Sequence, residues 1–398
     1  MKHFSRAALA TQLADNLQGK NPFQDFSNGL FLAAPRRTGK TVFLRHDLTP
    51  VLLARNLVAV YVDLWSDRNK DPAHLIAEAI GIEIRNRLGV VAKAAQSSGM
   101  SALQIGGLQF DTSKIGKPDG STLANALQYL AQLSKSAVVL IVDEAQQALS
   151  SPAGQAAMAG LKSARDQMNK PGDPQLMLVM SGSDRDKLLR LVNGNSSPFL
   201  GSTIHPMPVL GEDFIEFVCQ SIHWQYPTVQ PDRQNLLKAF ALFDHKPPTL
   251  LEAVADIFSP LSQPSEDFDS DIITRAQAHH QDEQTALEHD FSSLSILEQA
   301  VLVHMLEVGE NFRPYNTVAL KAYEKLTGVA VNQNQAQRAV ENLRTKENPL
   351  VWKSSRGEYV MENSAMRSWF EEHKKNGTWP PMDISKSASK KTKSKPSK

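Results

Sequence analysis

The run APRRTGKT, at residues 34 to 41, carries the residue types of a phosphate-binding loop. It follows the pattern GxxxxGK(S/T), in which backbone N–H groups surround a phosphate and the next helix turns its positive end toward the same anion. Gly39 lets the backbone approach phosphate oxygens, Lys40 neutralises the β and γ phosphates, and the Thr41 hydroxyl is suited to ligate Mg²⁺. The run therefore predicts a site for MgATP. Its candidate contact residues are Ala34, Pro35, Arg36, Arg37, Thr38, Gly39, Lys40 and Thr41.

The first position of this loop departs from the pattern, because Ala34 stands where a glycine is usual. Its Cβ resists positive φ, so the loop must find an allowed conformation there or bind more weakly than a glycine loop does. Taken alone, the motif is evenly balanced against a chance match. Its context favours the site, since an apolar strand precedes Ala34, a helical run follows Thr41, and an acidic strand end comes about 100 residues later.

The strand VVLIVDE ends in two carboxylates, Asp143 and Glu144, where it meets solvent. In that position Asp143 is suited to hold magnesium and its water shell, and Glu144 is suited to orient and deprotonate the attacking water. The alternative, an acidic pair that only caps a surface strand end, is disfavoured by the order of the two motifs in one chain. Lys40 and Glu144 are then the candidate catalytic residues. Thr41 and Asp143 are the candidate magnesium ligands.

A further strand, Leu176 to Met180, runs into SGSD and brings small polar groups to the same edge of the sheet. Ser181 or Ser183 is a candidate contact for the γ-phosphate, and a simple turn is the alternative. The run SGSDR does not satisfy the GxSxG elbow, so a serine hydrolase is disfavoured. Asp63 ends another strand, where a surface turn is favoured over contact with the nucleotide.

The composition is that of a globular chain with nearly balanced charge. The 43 Lys and Arg side chains oppose 42 Asp and Glu, which gives no overall field toward nucleic acid or membrane. Residues 383–398 differ, because they hold six lysines and one acid and leave 37 basic and 41 acidic side chains elsewhere. Cys219 is the only cysteine, so no internal disulfide can form, and we expect it and Trp224 to be ordinary packing residues. The longest apolar runs have six residues, whereas a membrane span needs about 20, so we expect a cytoplasmic protein without membrane association.

Short apolar runs alternate with helical patterns between residues 30 and 210, which predicts a doubly wound α/β nucleotide-binding domain over residues 1–210. The candidate strands are rich in Val, Leu and Ile, as strands buried on both faces require. They cover residues 30–33, 57–64, 137–142, 176–180 and 204–209. One connecting helix is predicted from a cap at Asp71 to a stop at Gly89. Residues 90–120 interrupt the pattern and predict an insertion, with a short hairpin around LQIGGLQFD.

The second half of the chain has a different pattern. Helical spacing without strands predicts a helical lid subdomain over residues 211–293. Three helical stripes and a hairpin follow over residues 294–376, which is the order of a winged helix-turn-helix. Residues 377–398 are too polar to fold alone, so we expect a disordered basic tail. The predicted fold class is a doubly wound parallel P-loop sheet followed by a helical lid and a winged helix-turn-helix.

The predicted winged helix carries basic residues that could meet DNA phosphates. Arg338 and Arg344 lie on its third helix, and Lys353 and Arg356 lie on its hairpin. Glu341 and Glu347 dilute this charge, and a protein-docking or solvated face is the alternative. The winged helix and the tail together predict DNA binding without sequence preference.

The run PRRTGKT, the strand LIVDEAQ and the strand ending in SGS resemble the archaeal-ATPase-like branch of AAA+ P-loop ATPases, which is related to initiator and STAND ATPases. The likeness covers residues 25 to 360. In that branch the loop usually reads GPRRxGKT, the acid pair is Asp-Glu, and a helical lid and a winged helix follow. The resemblance implies that the lid's sensor position falls on His245 or Lys246. The site residues that it implies are Lys40, Thr41, Asp143, Glu144 and one of Ser181 and Ser183.

One departure from that family concerns the arginine finger. Gly201 and Ser202 stand where such proteins tend to have a Gly-Arg pair before the last strand. The finger's position is therefore open, and Arg185 and Arg190 are substitutes by position only.

The favoured function is an ATP-binding and ATP-hydrolysing switch or loader that acts on a macromolecular partner, with DNA as one candidate. A protein partner or self-assembly is expected, because the chain shows no nuclease, protease or transferase motif of its own. The alternative is a nucleotide-binding scaffold that hydrolyses little and docks protein through the winged helix. Glu144 favours hydrolysis, whereas Ala34 and the missing arginine favour the scaffold.

Overall fold

The computed structural model describes residues 3–97, 115–116, 120–193, 197–261, 267–354, 358–362, 364–378 and 380–381. The predicted hairpin around LQIGGLQFD and the lysines of the tail lie outside these residues. The chain divides into two compact units, Met1–Ser221 and Ile222–Lys398. The finer division into a lid and a winged helix stays a prediction.

The first unit is built on a parallel five-stranded sheet in the described residues, with the order β2-β3-β4-β1-β5. The strands are β1 (Leu30–Ala33), β2 (Val58–Asp63), β3 (Val138–Asp143), β4 (Leu176–Gly182) and β5 (Ile204–Pro206). Every residue of β1, β3 and β4 is buried, because helices cover both faces of the sheet. The predicted strands and the doubly wound parallel fold class are confirmed.

The strand order places β1 between β4 and β5. The direction in which successive strands are added to the sheet therefore reverses beside β1. Ligands of open parallel sheets bind at the carboxyl edge near such a reversal. The register brings the relevant strand ends together, since Ala33 pairs with Gly182, Val142 with Met180, and Asp63 with Asp143.

The helices of the first unit connect these strands. They are α1 (Ala7–Leu17), α2 (Lys40–Phe43), α3 (Thr49–Ala54), α4 (Pro72–Ser97), α5 (Leu123–Ser134), α6 (Pro152–Met168), α7 (Arg185–Val192) and α8 (Glu212–Gln225). A π-helical segment, Leu44–Leu48, joins α2 to α3, and a 3₁₀ helix, Ala145–Ser150, follows β3. The last turn of α8 lies beyond the unit boundary.

Two sequence predictions about these helices are wrong. The predicted stop at Gly89 fails, because α4 continues to Ser97. A glycine costs a helix only about 1 kcal/mol relative to alanine, and the residues that follow, VVAKAAQS, include several good helix formers. Trp224 is 82% exposed and not a packing residue. The buried stripe of α8 runs through Phe214, Val218 and Ile222 at helical spacing, and Trp224 lies off that stripe.

The second unit is mostly helical. Its helices are α9 (Arg233–Leu242), α10 (Pro247–Ile257), α11 (Phe268–Ser292), α12 (Ile296–Val308), α13 (Thr317–Thr327), α14 (Gln333–Thr345) and α15 (Ser364–Lys375). Strands β6 (Val351–Lys353) and β7 (Tyr359–Met361) form an antiparallel pair. Capping boxes begin α12 at Ser295 and α14 at Asn332. The predicted three helices and hairpin are present in the predicted order, around a core that includes Tyr323, Phe312 and Phe370.

In the described part of the chain, no single helix is both long enough and apolar enough to cross a membrane. The pair α11 and α12 passes that test jointly, with a bend of 117° between the two helices.

Candidate functional site

The loop between β1 and α2 adopts its turn without strain at its first residue. Ala34 extends β1, and its N–H donates to the Gly182 carbonyl at 3.1 Å. The left-handed residues of the loop are Arg37 (φ 65°) and Gly39 (φ 87°). Ala34 itself does not have positive φ, so its Cβ causes no steric strain. The positive φ angles of the loop fall on other residues. The Thr38 hydroxyl donates to the Pro35 carbonyl at 2.7 Å and closes the turn.

Lys40 joins the two halves of the predicted site. Its Nζ lies 2.6 Å from Asp143 Oδ1 and 2.7 Å from Glu144 Oε1. The Lys40 side chain is only 6% exposed, and that of Asp143 only 1%. An ammonium group has three N–H donors, so these two ion pairs leave one donor for a phosphate oxygen.

Asp143 collects hydrogen bonds on both of its carboxylate oxygens. Oδ2 accepts from the Thr41 hydroxyl at 2.7 Å and from the Tyr61 phenol at 3.0 Å. Oδ1 accepts from Lys40 and from the Ser181 hydroxyl. The Glu144 N–H also donates to Oδ1, at 3.0 Å, and a carboxylate with five donors is fixed in orientation, which a metal-binding group requires.

Glu144 is held just as closely, although it follows the end of β3. Its backbone is left-handed, with φ 54°, which turns its side chain toward the end of β4. Oε2 accepts from the Ser183 hydroxyl at 2.8 Å and from the Gln146 amide at 2.5 Å, and Oε1 accepts from Lys40. Non-glycine residues adopt this conformation rarely, and such residues cluster at functional sites.

Both carboxylates are ionised at neutral pH. Burial raises the pKa of Asp143, but the Lys40 charge and the hydrogen bonds from Lys40, Ser181 and Thr41 outweigh it, so the pKa is lowered. Glu144 follows the same balance, with burial opposed by Lys40 and by hydrogen bonds from Ser183 and Gln146, and its pKa is also lowered. Both groups are therefore available as acceptors.

The donor set fits a magnesium ion. Thr41 Oγ1 and Asp143 Oδ2 are hard oxygen donors that lie 2.7 Å apart. Mg²⁺ is usually held by one or two such protein oxygens, with phosphate oxygens and waters completing its octahedron. Thr41 and Asp143, the two ligands predicted from the sequence, therefore offer the oxygen donors that Mg²⁺ prefers.

Two residues of the site are absent from the sequence prediction. Tyr61 lies on the edge strand β2. Side chains alternate between the two faces of this strand, and that of Tyr61 lies on the face from which its hydroxyl reaches Asp143. Gln146 follows the acid pair by two residues and is almost fully buried. Its place in LIVDEAQ, one residue beyond the acid pair, is the signal that could have identified it. Asp63 forms the expected turn, accepting from the Trp65 N–H at 2.8 Å, while burial and then the nearby Asp143 raise its pKa.

The remaining predicted residues lie apart from this cluster. The Arg36 guanidinium is exposed and stacks 4.3 Å from the centre of the Trp65 ring. Arg185 is exposed at the start of α7, and Arg190 is half-buried on the same helix. In the second unit, Lys246 pairs with Glu283 at 3.0 Å and with Asp244 at 3.2 Å. His245 precedes it with φ 53°.

One solved structure in particular has the same architecture. The ADP form of the ORC2 protein of Aeropyrum pernix is 14% identical, with a TM-score of 0.50, over 91% of this chain and 90% of that chain. The chain has the AAA+ fold. The same Aeropyrum protein in its ADPNP-ADP complexes is 14% identical, with a TM-score of 0.48, over 94% and 93% of the two chains. The Walker-type ATPase of Pyrococcus abyssi is 15% identical, with a TM-score of 0.46, over 90% and 94%.

The sequence matches no protein-family model, and a comparison with curated proteins gives no match. What the chain shares with known proteins is therefore a fold, seen in the strand order and in the likeness to the Aeropyrum protein.

Substitution of Gly182 tests whether Gln146 positions Glu144. A Cβ at Gly182 would lie 2.5 Å from Gln146 Oε1, so Gly182→Ala must displace the amide that holds Glu144. We expect turnover to fall about tenfold to a hundredfold, since small misplacements of a reacting group have effects of this size. ATP affinity should be retained, because Lys40 keeps its ion pair with Asp143. Phosphate release and ATP titration measure the two quantities.

Gly160→Ala on α6 is the matched control, because its Cβ would meet only Leu123 Cδ1 at 3.9 Å, an ordinary contact. Equal turnover in the two variants would contradict the positioning role of Gln146.

Proposed function

We propose that this chain binds MgATP at the cluster around Lys40 and hydrolyses it to ADP and phosphate. The observation that carries the proposal is the contact of Lys40 Nζ with both Asp143 and Glu144, at 2.6 and 2.7 Å. This contact brings together two motifs about 100 residues apart, and their side chains are of the types that phosphoryl transfer to water uses. Phosphate release and ATP titration, with Lys40→Ala and Glu144→Gln as variants, test the proposal.

Each residue of the cluster has a distinct task in this reaction. The backbone of residues 34–39 surrounds the β-phosphate, and Lys40 neutralises charge on the β and γ phosphates. Thr41 and Asp143 would hold a magnesium ion, which would neutralise part of the phosphate charge. Ser181 donates to Asp143 and would help to hold that carboxylate in place.

Glu144 orients the attacking water. Its lowered pKa keeps it ionised, so it accepts a hydrogen bond from that water and aligns one lone pair with the γ-phosphorus. When Lys40 directs its remaining N–H donor to a phosphate oxygen, its charge is shared between that phosphate and the two carboxylates. Ser183 and Gln146 hold the carboxylate through this change.

The rival function is a nucleotide-binding scaffold that does not hydrolyse ATP. The geometry favours hydrolysis, because Glu144 is held by Lys40, Ser183 and Gln146 in a left-handed conformation that a purely structural strand end does not need. A partner or a second copy would supply the arginine that the cluster lacks among its described side chains, and such an arginine raises turnover by about 10³ to 10⁵.

We further propose DNA as the macromolecular partner, through a winged helix formed by α12–α14 and the β6–β7 hairpin. The exposed face of α14 carries Gln333, Asn334, Gln337 and Arg338, which are side chains suited to DNA contacts. The positive charge there is smaller than the sequence suggests, since Arg344 is paired with Glu341 at 2.5 Å. Lys353 is exposed on the hairpin, and Arg356 lies outside the described residues. A weak interaction without sequence preference is therefore expected.

The lysines of residues 383–398 should supply most of the salt dependence of DNA binding. Each neutralised phosphate contributes about 0.9 to the log-log salt slope, so deleting this segment should lower the slope by roughly 2.7 if about three lysines engage together. Binding isotherms across a salt series, on two unrelated duplexes, measure it. Identical slopes for the full-length and truncated proteins would exclude a contribution of residues 383–398 to DNA binding. If neither protein binds DNA, protein docking by the winged helix would be favoured instead.

A further inference from the structure

Residues 3–6, here called the N-terminal strap, are attached to the π-helical segment that follows the phosphate loop and α2. The His3 ring nitrogen Nε2 lies 3.0 Å from Asp47 Oδ1, and the Ser5 hydroxyl donates to the same oxygen at 2.9 Å. Phe4 packs against Phe214 and against Phe217 of α8, with ring centres 5.5 Å apart in each case.

Asp47 reaches the strap because of the π-helical segment Leu44–Leu48. Pro50 has no N–H to donate to a carbonyl four residues earlier, so the regular helix started by Lys40 is interrupted at this point. The extra residue in the π-turn places Asp47 inward, where its side chain is 1% exposed. Segments of this kind occur often at functional sites, because they re-aim one side chain.

Arg6 is the member of the strap that reaches the phosphate loop. One of its guanidinium nitrogens donates to the Gly39 carbonyl at 3.2 Å, and the other donates to the Pro208 carbonyl at 3.3 Å. The guanidinium also lies 4.8 Å from the centre of the Phe43 ring, on the helix that follows the loop. The fork therefore links the end of the loop to the segment after β5.

We propose that Arg6 is a positioning residue, which holds the end of the phosphate loop in its phosphate-binding form; this inference rests on the MgATP function proposed above. Gly39 directly precedes Lys40, and its carbonyl accepts from both the Phe43 N–H, at 2.9 Å, and Arg6. Two donors on one carbonyl fix the peptide plane between Gly39 and Lys40. That plane sets the direction in which the Lys40 side chain leaves the loop.

The guanidinium fork is essential to this role, because it bridges two carbonyls that a single ammonium cannot reach together. Removing the fork frees the left-handed Gly39, a residue with wide conformational freedom. The loop then has to be ordered by the nucleotide itself, so ATP binding weakens while the chemistry of bound ATP is unchanged.

The experiment compares Arg6→Ala, Arg6→Lys and Arg55→Ala with the unaltered protein, by titration of a fluorescent ATP analogue and by phosphate release over a range of ATP concentrations. Arg55 is the matched control, because its guanidinium also ties two segments together, binding Asp15 at 2.8 Å and the Thr11 carbonyl at 3.1 Å, away from the phosphate loop. Thermal melts of all variants monitor folding.

Arg6→Ala is expected to weaken analogue binding and raise KM about tenfold, with kcat within about twofold of its original value. The affinity of Arg6→Lys for the analogue should lie between that of Arg6→Ala and that of the unaltered protein. Added guanidinium ion should restore part of the affinity of Arg6→Ala. Arg55→Ala should keep both KM and analogue affinity. An Arg6→Ala protein with unchanged affinity, or a loss that matches that of Arg55→Ala, would overturn the positioning role.

Lys40→Ala, measured alongside, separates this inference from the function on which it rests. If Lys40→Ala loses analogue binding and Arg6→Ala does not, only the role of Arg6 is wrong. If Lys40→Ala binds the analogue normally, the MgATP site itself is wrong.

Discussion

Replacing Glu144 with glutamine is expected to stop ATP turnover while ATP binding persists. The amide has nearly the same shape, and Ser183 can still donate to its oxygen. It cannot take a proton from water, and it attracts the water less strongly than a carboxylate does. Loss of a general base of this kind reduces rates by about 10² to 10⁴. Phosphate release gives the rate, and a fluorescent ATP analogue gives the affinity.

The matched control for this variant is Glu83→Gln on α4, where Glu83 accepts from Arg87 at 2.7 Å in an ordinary helical ion pair. Its turnover should equal that of the unaltered protein, since an ion pair between neighbouring turns of a helix is worth only a few tenths of a kcal/mol. Full turnover by Glu144→Gln would mean that Glu144 does not act on the water.

Lys40→Ala is expected to abolish ATP binding, and this is the largest effect on affinity that the structure predicts. The change removes the buried cation that faces the phosphates and leaves Asp143 and Glu144 without their main counter-charge. Those carboxylates then repel the triphosphate. Affinity should fall by more than about a hundredfold, because a charge-assisted contact is lost and a repulsion replaces it. Titration with a fluorescent ATP analogue measures the loss.

Lys162→Ala is the control for the removal of a lysine, since Lys162 pairs with Asp166 at 2.7 Å on the half-exposed surface of α6. It should bind ATP normally, and melting curves should show that both variants are folded. Binding by Lys40→Ala as tight as that of the unaltered protein would exclude the phosphate-loop assignment.

The sheet was predictable because strands buried on both faces must be apolar along their whole length. The run VVLIVD in β3 and the run LFLA in β1 therefore stand out in the sequence, and the acids that follow β3 had to lie at the carboxyl edge. Parallel strands place their carboxyl ends at one edge, so Lys40, after β1, and Asp143, at the end of β3, were expected to meet. The ion pair between them agrees with that reasoning.

The rest of the cluster depends on tertiary contacts that no local pattern encodes. Arg6 lies 33 residues before Gly39, in a strap without helical or strand periodicity, so its hydrogen bond to the loop has no sequence signature. Tyr61 lies on an edge strand and looks like an ordinary β-forming residue until the register places it beside Asp143. The continuation of α4 beyond Gly89 has a different, local origin, because the penalty of one glycine is small beside the helix propensity of the residues around it.

The measurement that tests the central claim most directly is phosphate release from MgATP by the unaltered protein and by Glu144→Gln, prepared identically and assayed across a range of protein concentrations. We predict release by the unaltered protein that saturates with ATP, and at least about a hundredfold less release by Glu144→Gln, while both bind the ATP analogue. The same rate in both proteins, or no release by the unaltered protein at any concentration, would contradict ATP hydrolysis at this cluster.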